Sequence, residues 1–255
     1  MSTIGMTLRQ VGYTNRAFWR NPASAFFTFA FPIMFLVIFS TLFGNEVEMR
    51  AGRRVTAATL YVPAMAAFSI ITACYTNIAM SVAFARDGGI LKRIHGTPLP
   101  GAAYILARVL HAVLVGLLLV AIVAAFGALF YDATLPTGAA LGRFLISLMV
   151  GSAAFAALGL AIVPAIPNAD AAPAVVNASI LPLLFLSGVF IPVGPETPAW
   201  VDVVGKIFPI RHFVDAMNAS FLGTPFDWTD LLAVAAWGLA GVVIAARFFR
   251  WEPRR

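Results

Sequence analysis

The chain has 255 residues, 61% of them hydrophobic and 11% charged, with a mean hydropathy of +0.90. Soluble domains carry roughly 25% charged residues, so this composition excludes a water-covered globule and makes lipid the solvent for most of the chain. The single cysteine, Cys74, excludes an intrachain disulfide and a zinc cluster, and the net charge of +6 is spread over loops and tails rather than gathered on one face, which excludes a nucleic-acid partner.

Residues 1–22 come first. At 100° per residue, Ile4, Leu8, Val11, Phe18 and Trp19 share one arc, with Arg9, Arg16 and Arg20 opposite and Asn15 the one polar residue on the apolar side. The pattern predicts an interfacial helix with arginines towards lipid headgroups and rings towards acyl chains. Asn21-Pro22 ends it, because the residue before a proline is pushed out of the α region. The apolar run 26–43 follows. Gly44-Asn45-Glu46-Val47 after it offers no small-residue cleavage site, so the run reads as a retained span.

Five further runs, 59–85, 104–130, 144–166, 171–191 and 231–249, are long enough for a hydrocarbon core of about 30 Å, which takes roughly 20 residues. The expected fold is an all-α membrane protein: one domain, 1–255, with six transmembrane helices. Pro182 is expected to interrupt the fifth span. Residues 191–228 hold Pro192, Pro195, Pro198 and Pro209 and apolar patches too short to span, which predicts a re-entrant or interfacial element before the last span.

Six spans put both termini on one side. The tails, the 86–108 stretch and the 167–170 turn together carry a net charge of +8, and the opposite side carries −2. The positive side is cytoplasmic, so the chain is expected in the cell membrane, multi-pass, with both termini inside. Arg50, Arg53 and Arg54 are the cluster that runs against this orientation.

The sequence has no G-x-x-x-x-G-K-[ST] loop, and Gly205-Lys206 is followed by Ile207, so any ATP hydrolysis falls to another chain. Carboxylates sit at the ends of the runs. His111 is the main ionisable candidate within a span, and its ordinary role is a hydrogen bond to a neighbouring helix. His95, His111 and His212 lack the spacing of a metal site or a nucleophile–base pair.

Two segments remain. Asp87-Gly88-Gly89 breaks the second span, and Ile90, Leu91 and Ile94 then form an apolar edge with Lys92 and Arg93 pointing elsewhere, until Gly96-Thr97-Pro98 stops the turn. Such a helix suits docking into a groove of a soluble partner; its plainer use is as a charged loop serving topology. The second segment runs Phe185-Leu186-Ser187-Gly188-Val189-Phe190-Ile191-Pro192, then Pro198-Ala199-Trp200, then Phe208-Pro209-Ile210-Arg211-His212-Phe213-Val214-Asp215.

Both segments resemble motifs of ABC-2-type transporter permeases. The first is similar to the family's cytoplasmic coupling segment, Leu-x-Arg followed by Thr-Pro-Leu, here Leu91-Lys92-Arg93 and Thr97-Pro98-Leu99, with Asp87 where Glu is commoner. The second resembles the end of its fifth span and the re-entrant helices beyond, with His212 or Phe213 in the aromatic place. The flavour is that of drug- and antibiotic-export permeases of actinobacteria.

The resemblance implies a transport subunit that is not itself an enzyme and has no cofactor in this chain. Mg-ATP belongs on partner ABC ATPase subunits, and a second permease copy completes a dimer. It implies coupling through Asp87, Gly88, Gly89, Leu91, Lys92, Arg93, Ile94, Thr97 and Pro98. It also implies an extracellular gate formed by Pro182, Phe185, Leu186, Ser187, Gly188, Phe190 and Pro192. The cargo is expected to be amphipathic, lipid-like or drug-like, since Phe26, Phe27, Phe29, Phe31, Phe35, Phe39, Tyr61, Phe68 and Tyr75 line the first two spans. An ion-coupled antiporter without an ATPase is the alternative.

Overall fold

The computed structural model describes residues 3–43, 48–50, 53–191, 193 and 197–249. Helix α1, Thr3–Trp19, ends just before the Asn21-Pro22 pair, and Pro22 opens α2, Pro22–Leu42, where a missing backbone N–H costs nothing. A two-stranded antiparallel ribbon follows, β1 Glu48–Arg50 against β2 Arg53–Val55, with Met49 opposite Arg54. This small ribbon departs from the all-α expectation. The otherwise helical chain continues with the second span.

That span is one continuous rod made of α3 (Ala57–Ile70), a π-helical turn (Ile71–Thr76) and α4 (Asn77–Asp87). Its start is capped by Thr56, whose side chain accepts from the Thr59 N–H. It is the axis of the bundle, enclosed along most of its length while the other long helices leave more of their surface outside. Its alanines explain this: Ala58, Ala66, Ala67, Ala73, Ala79 and Ala83 let neighbouring backbones come close, which is how helices associate where lipid removes the hydrophobic drive.

A six-residue helix, α5 (Ile90–His95), leads to α6 (Gly101–Tyr131), α7 (Gly138–Ile162) with a 3₁₀ turn at Val163–Ala165, and α8 (Ala172–Leu186). Two short helices, α9 (Ala199–Ile207) and α10 (Pro209–Leu222), precede α11 (Trp228–Phe248). Five helical segments are long and apolar enough to cross a membrane: 25–42, 57–87, 101–131, 138–165 and 228–248. The sixth expected span, 171–191, is instead the 15-residue α8. At 1.5 Å per residue it reaches about 22 Å, short of a core of about 30 Å. Its end has a local cause: Gly188 turns the chain at φ +80°. Pro182 lies inside α8 without interrupting it, which corrects the expected break.

Helices α7 and α11 pack through small residues. A Cβ on Gly238 would stand 2.8 Å from Ala154, so the two backbones touch there. Helix α10 is wedged among α3, α7 and α11. Phe213 is fully buried and its ring occupies the notch of Gly151, 5.3 Å from the ring of Phe155. Helix α1 lies along α6. Thr7 is its buried residue and Phe18 meets the His111 ring at 5.5 Å, Trp19 stacks on Phe29 of α2 at 5.6 Å, and Ile4 and Leu8 face away from the protein. The arc expected to be apolar is thus split, part packed on α6 and part left for the surroundings.

Candidate functional site at the α4–α5 corner and the α8–α10 end

The two motif-bearing segments lie at opposite ends of the long rods. At the first, Gly89 adopts φ +68°, a conformation that L side chains rarely adopt, and this reverses the chain from α4 into α5. Thr97 closes α5 by donating its hydroxyl to the Ile94 carbonyl at 2.7 Å and accepting from the Leu99 N–H at 3.3 Å.

The apolar edge does not survive as expected. Leu91 is fully buried in the chain's own core, Ile94 is half-buried, and Ile90 is 46% exposed. A six-residue helix tied at both ends turns one apolar side chain inwards to pack, and here that is Leu91. The surface offered outwards is Ile90, Lys92 and Arg93, followed by Gly96, Thr97 and Pro98.

Two residues fasten this helix to the bundle. Arg86, 1% exposed, donates to the Val163 carbonyl at 3.0 Å and to the Ile166 carbonyl at 2.7 Å. These carbonyls end α7 and its 3₁₀ turn, where the helix dipole favours a cation. Next to it, Asp87 Oδ2 accepts from the Ala169 N–H at 2.8 Å. The α4–α5 corner and the turn after α7 therefore form one unit. Sequence reasoning counted Arg86 only as a topological charge. What it lacked was the partner, since backbone carbonyls some 80 residues away leave no signature.

At the other end, Ser187 is buried and donates to the Leu183 carbonyl, while Gly188 makes the turn. Phe190 is buried in a ring cluster with Phe185 at 5.0 Å, Phe35 at 5.2 Å and Phe68 at 5.5 Å. Phe185 is 55% exposed and Leu186 half-buried, with its carbonyl against Gly205 of α9. The expected gate residue Pro192 lies outside the described residues.

Beyond Phe190 the chain holds a polar network absent from the sequence reading. His212 Nε2 lies 2.9 Å from the Lys206 carbonyl, which only accepts, so Nε2 carries a proton; Nδ1 lies 2.6 Å from Asp230 Oδ1. Arg211 Nε donates to Asp215 Oδ2 at 2.7 Å, and Lys206 Nζ to Asp202 Oδ2 at 2.7 Å. Burial raises the Asp215 carboxyl above its ordinary range against the pull of Arg211. The hydrogen bond from Lys206 holds Asp202 below that range, and the Thr229 backbone N–H does the same for Asp227. A cavity of about 300 Å³ opens among Tyr61, Ser187, Arg211, Asp215, Asp227 and Asp230. The i, i+4 spacing of Arg211 and Asp215 is readable in sequence; their meeting with α11 is not.

Another cavity of about 300 Å³ is apolar, lined by Tyr75, Phe155, Phe208 and Trp237 among others, with the Tyr75 hydroxyl 2.7 Å from Ser179 Oγ across the second span and α8. Trp237 donates its indole N–H to the Ile207 carbonyl at 3.1 Å. Among the described residues no group of acids, histidines and cysteines is placed to hold a metal.

Long apolar helices surround a buried rod, with a short helix clamped to the bundle at one end and the short helices α9 and α10 packed at the other, the build of a membrane-spanning protein. The sequence profile of the ABC-2 type transporter family matches residues 11–222, and the chain belongs to that family. None of the curated proteins matches it. The matched region is a transmembrane component and not a nucleotide-binding domain.

Proposed function

We propose that the chain is the permease subunit of an ATP-binding-cassette exporter in the cell membrane, with both termini cytoplasmic. Two copies pair, and two separate ATPase chains bind Mg-ATP. Helix α8 with the turn to Ile191 makes the sixth crossing. The observation that carries the reading is a short helix with an exposed Ile90, Lys92 and Arg93 face, held to two spans by Arg86 and Asp87. A partner that pushes on this face moves the ends of the second and fourth spans together. Nucleotide shifts the transporter only if the ATPase contacts the two conformations differently. At the outer end, Phe185 and Phe190 close the path. The apolar cavity at Tyr75 and Trp237 suits an amphipathic or drug-like cargo. Nothing in the geometry favours an ion-coupled antiporter.

The test is a pull-down of the tagged chain in mild detergent, with mass spectrometry and an ATPase assay. A P-loop ATPase co-purifies with the wild type and is lost from the Ile90→Asp, Arg93→Glu double variant, which still inserts. A correctly inserted double variant that keeps its ATPase and exports normally overturns the proposal.

A further inference from the structure

A further cavity, of about 400 Å³, lies where α1, α4, α5 and α6 meet, and each helix gives it one stripe of residues. From α1 come Gln10 and Thr14, one turn apart; from α4, Asn77 and Ser81, one turn apart. Ile90 and Ile94 of the coupling helix form one wall. From α6 come Tyr104, Arg108 and His111. So much polar side-chain chemistry in one place is unusual in a chain that is 11% charged.

Its charge is one-sided. Arg108 is the one charged residue among the described lining residues, and no carboxylate faces it there. Tyr104 fixes its guanidinium: Nε donates to the Tyr104 hydroxyl at 2.7 Å and the head lies 4.9 Å from the ring centroid. This leaves the two terminal amino groups, the fork that matches a phosphate, with no acidic partner among the described residues. His111, 4% exposed, belongs to the same lining, and its Nε2 has no hydrogen-bond partner among the described residues.

We infer that this cavity binds the phosphate-bearing headgroup of an anionic lipid of the cytoplasmic leaflet, with Arg108 on the phosphate and the side-chain amides of Gln10 and Asn77 around it, the Thr14 and Ser81 hydroxyls being donated to the Gln10 and Ile78 carbonyls. The inference rests on the proposed orientation. Arg108 is seven residues from the start of α6, about 10 Å along the helix, which is headgroup depth. Inner-leaflet anionic lipids concentrate at that surface, and Arg16 on the exposed side of α1 adds to the attraction. A lipid seated there bridges α1 to the wall formed by α5, so the coupling helix moves against a lipid-filled contact.

The chain is reconstituted in nanodiscs of equal phosphatidylglycerol and phosphatidylcholine, extracted in detergent, and the lipids it carries are counted by native mass spectrometry. The wild type retains phosphatidylglycerol preferentially, and Arg108→Gln lowers that preference about tenfold, as expected for loss of a charge-assisted bond to phosphate. Arg108→Lys keeps most of it. Arg9→Gln, the same charge change on the exposed side of α1, leaves it intact. If Arg108→Gln does not fold, the Gln10→Ala, Asn77→Ala variant carries the test with a several-fold loss. Equal retention in wild type and Arg108→Gln overturns the inference, as does an equal loss in Arg9→Gln, which would mean a diffuse basic surface. Thermal stabilisation by inorganic phosphate alone, with no lipid preference, makes free phosphate the occupant and overturns the lipid assignment. No ATPase takes part in the measurement, so failure of the permease reading in the pull-down leaves this result standing.

Discussion

Replacing Arg86 by lysine tests the clamp directly. The guanidinium reaches two carbonyls, Val163 at 3.0 Å and Ile166 at 2.7 Å, while 1% exposed. Lysine keeps the charge but puts it on a single ammonium without the fork, so it serves one carbonyl at a time. A hydrogen bond to a charged group contributes about 1.5–3 kcal/mol, and losing one gives the expected cost of Arg86→Lys. Arg86→Met loses both and leaves two buried carbonyls without these donors, at about 1–3 kcal/mol each. The assay is reversible unfolding in mixed micelles, with ATPase stimulation in the assembled complex as second readout. A shift of 1.5 kcal/mol is about tenfold in the unfolding constant. If the clamp also transmits motion, Arg86→Lys lowers stimulation while the ATPase still co-purifies. An Arg86→Lys protein within about 0.5 kcal/mol of wild type and fully stimulated would refute the reasoning, because these bonds would then hold nothing in place.

Leu91→Asp should unfold the α4–α5 corner, since it puts a carboxylate where no solvent reaches, whereas Ile90→Asp should cost under about 0.5 kcal/mol; expression and size-exclusion profiles of the two variants separate them. Gly159→Ala should cost about 1–3 kcal/mol, because its Cβ would stand 2.7 Å from the Tyr75 carbonyl and 2.9 Å from that of Cys74, while Gly142→Ala, with nothing within 4 Å, should cost nothing; unfolding of the two α7 variants checks it. Asp215 has its carboxyl raised by burial, so its protonated form is favoured in the fold. Its contribution is complete below the ordinary value of 3.8 and is lost as pH rises through the raised value. Melting curves from acid to neutral pH should show wild type losing stability relative to Asp215→Asn across that window; the opposite sign would mean that Arg211 dominates. Phe190→Ala should lose about 3 kcal/mol, from a ring packed against three others, measured by the same unfolding assay.

The long rods were legible because a run of apolar side chains needs no partner to announce itself: 104–130 and 231–249 fall within three residues of α6 and α11 at each end. The run 171–191 is longer than the helix it forms, because composition does not record where a glycine turns the chain, and Gly188 follows the end of α8. At α5 the sequence marked a short helix with an apolar edge but not the facing of its side chains. Leu91 and Ile90 are adjacent and equally apolar, and only the packing of α5 decides which is enclosed. Arg86 and His212 were unreadable for a shared reason, since each takes backbone carbonyls as partners, and any residue supplies a carbonyl.

The π-helical turn at Ile71–Thr76 sets the angular phase between the two halves of the second span. A π turn houses one more residue than an α turn, and one residue is about 100° of rotation. Above it Tyr61 and Phe68 point to the rings of α2 and to Phe190; below it Arg86 points to the end of α7. Winding the same residues as uninterrupted α-helix would rotate one half against the other by about 100°, so that aromatic cluster and clamp could not both be satisfied. The rod thus works as a shaft with a keyed joint, and the key is a single extra residue.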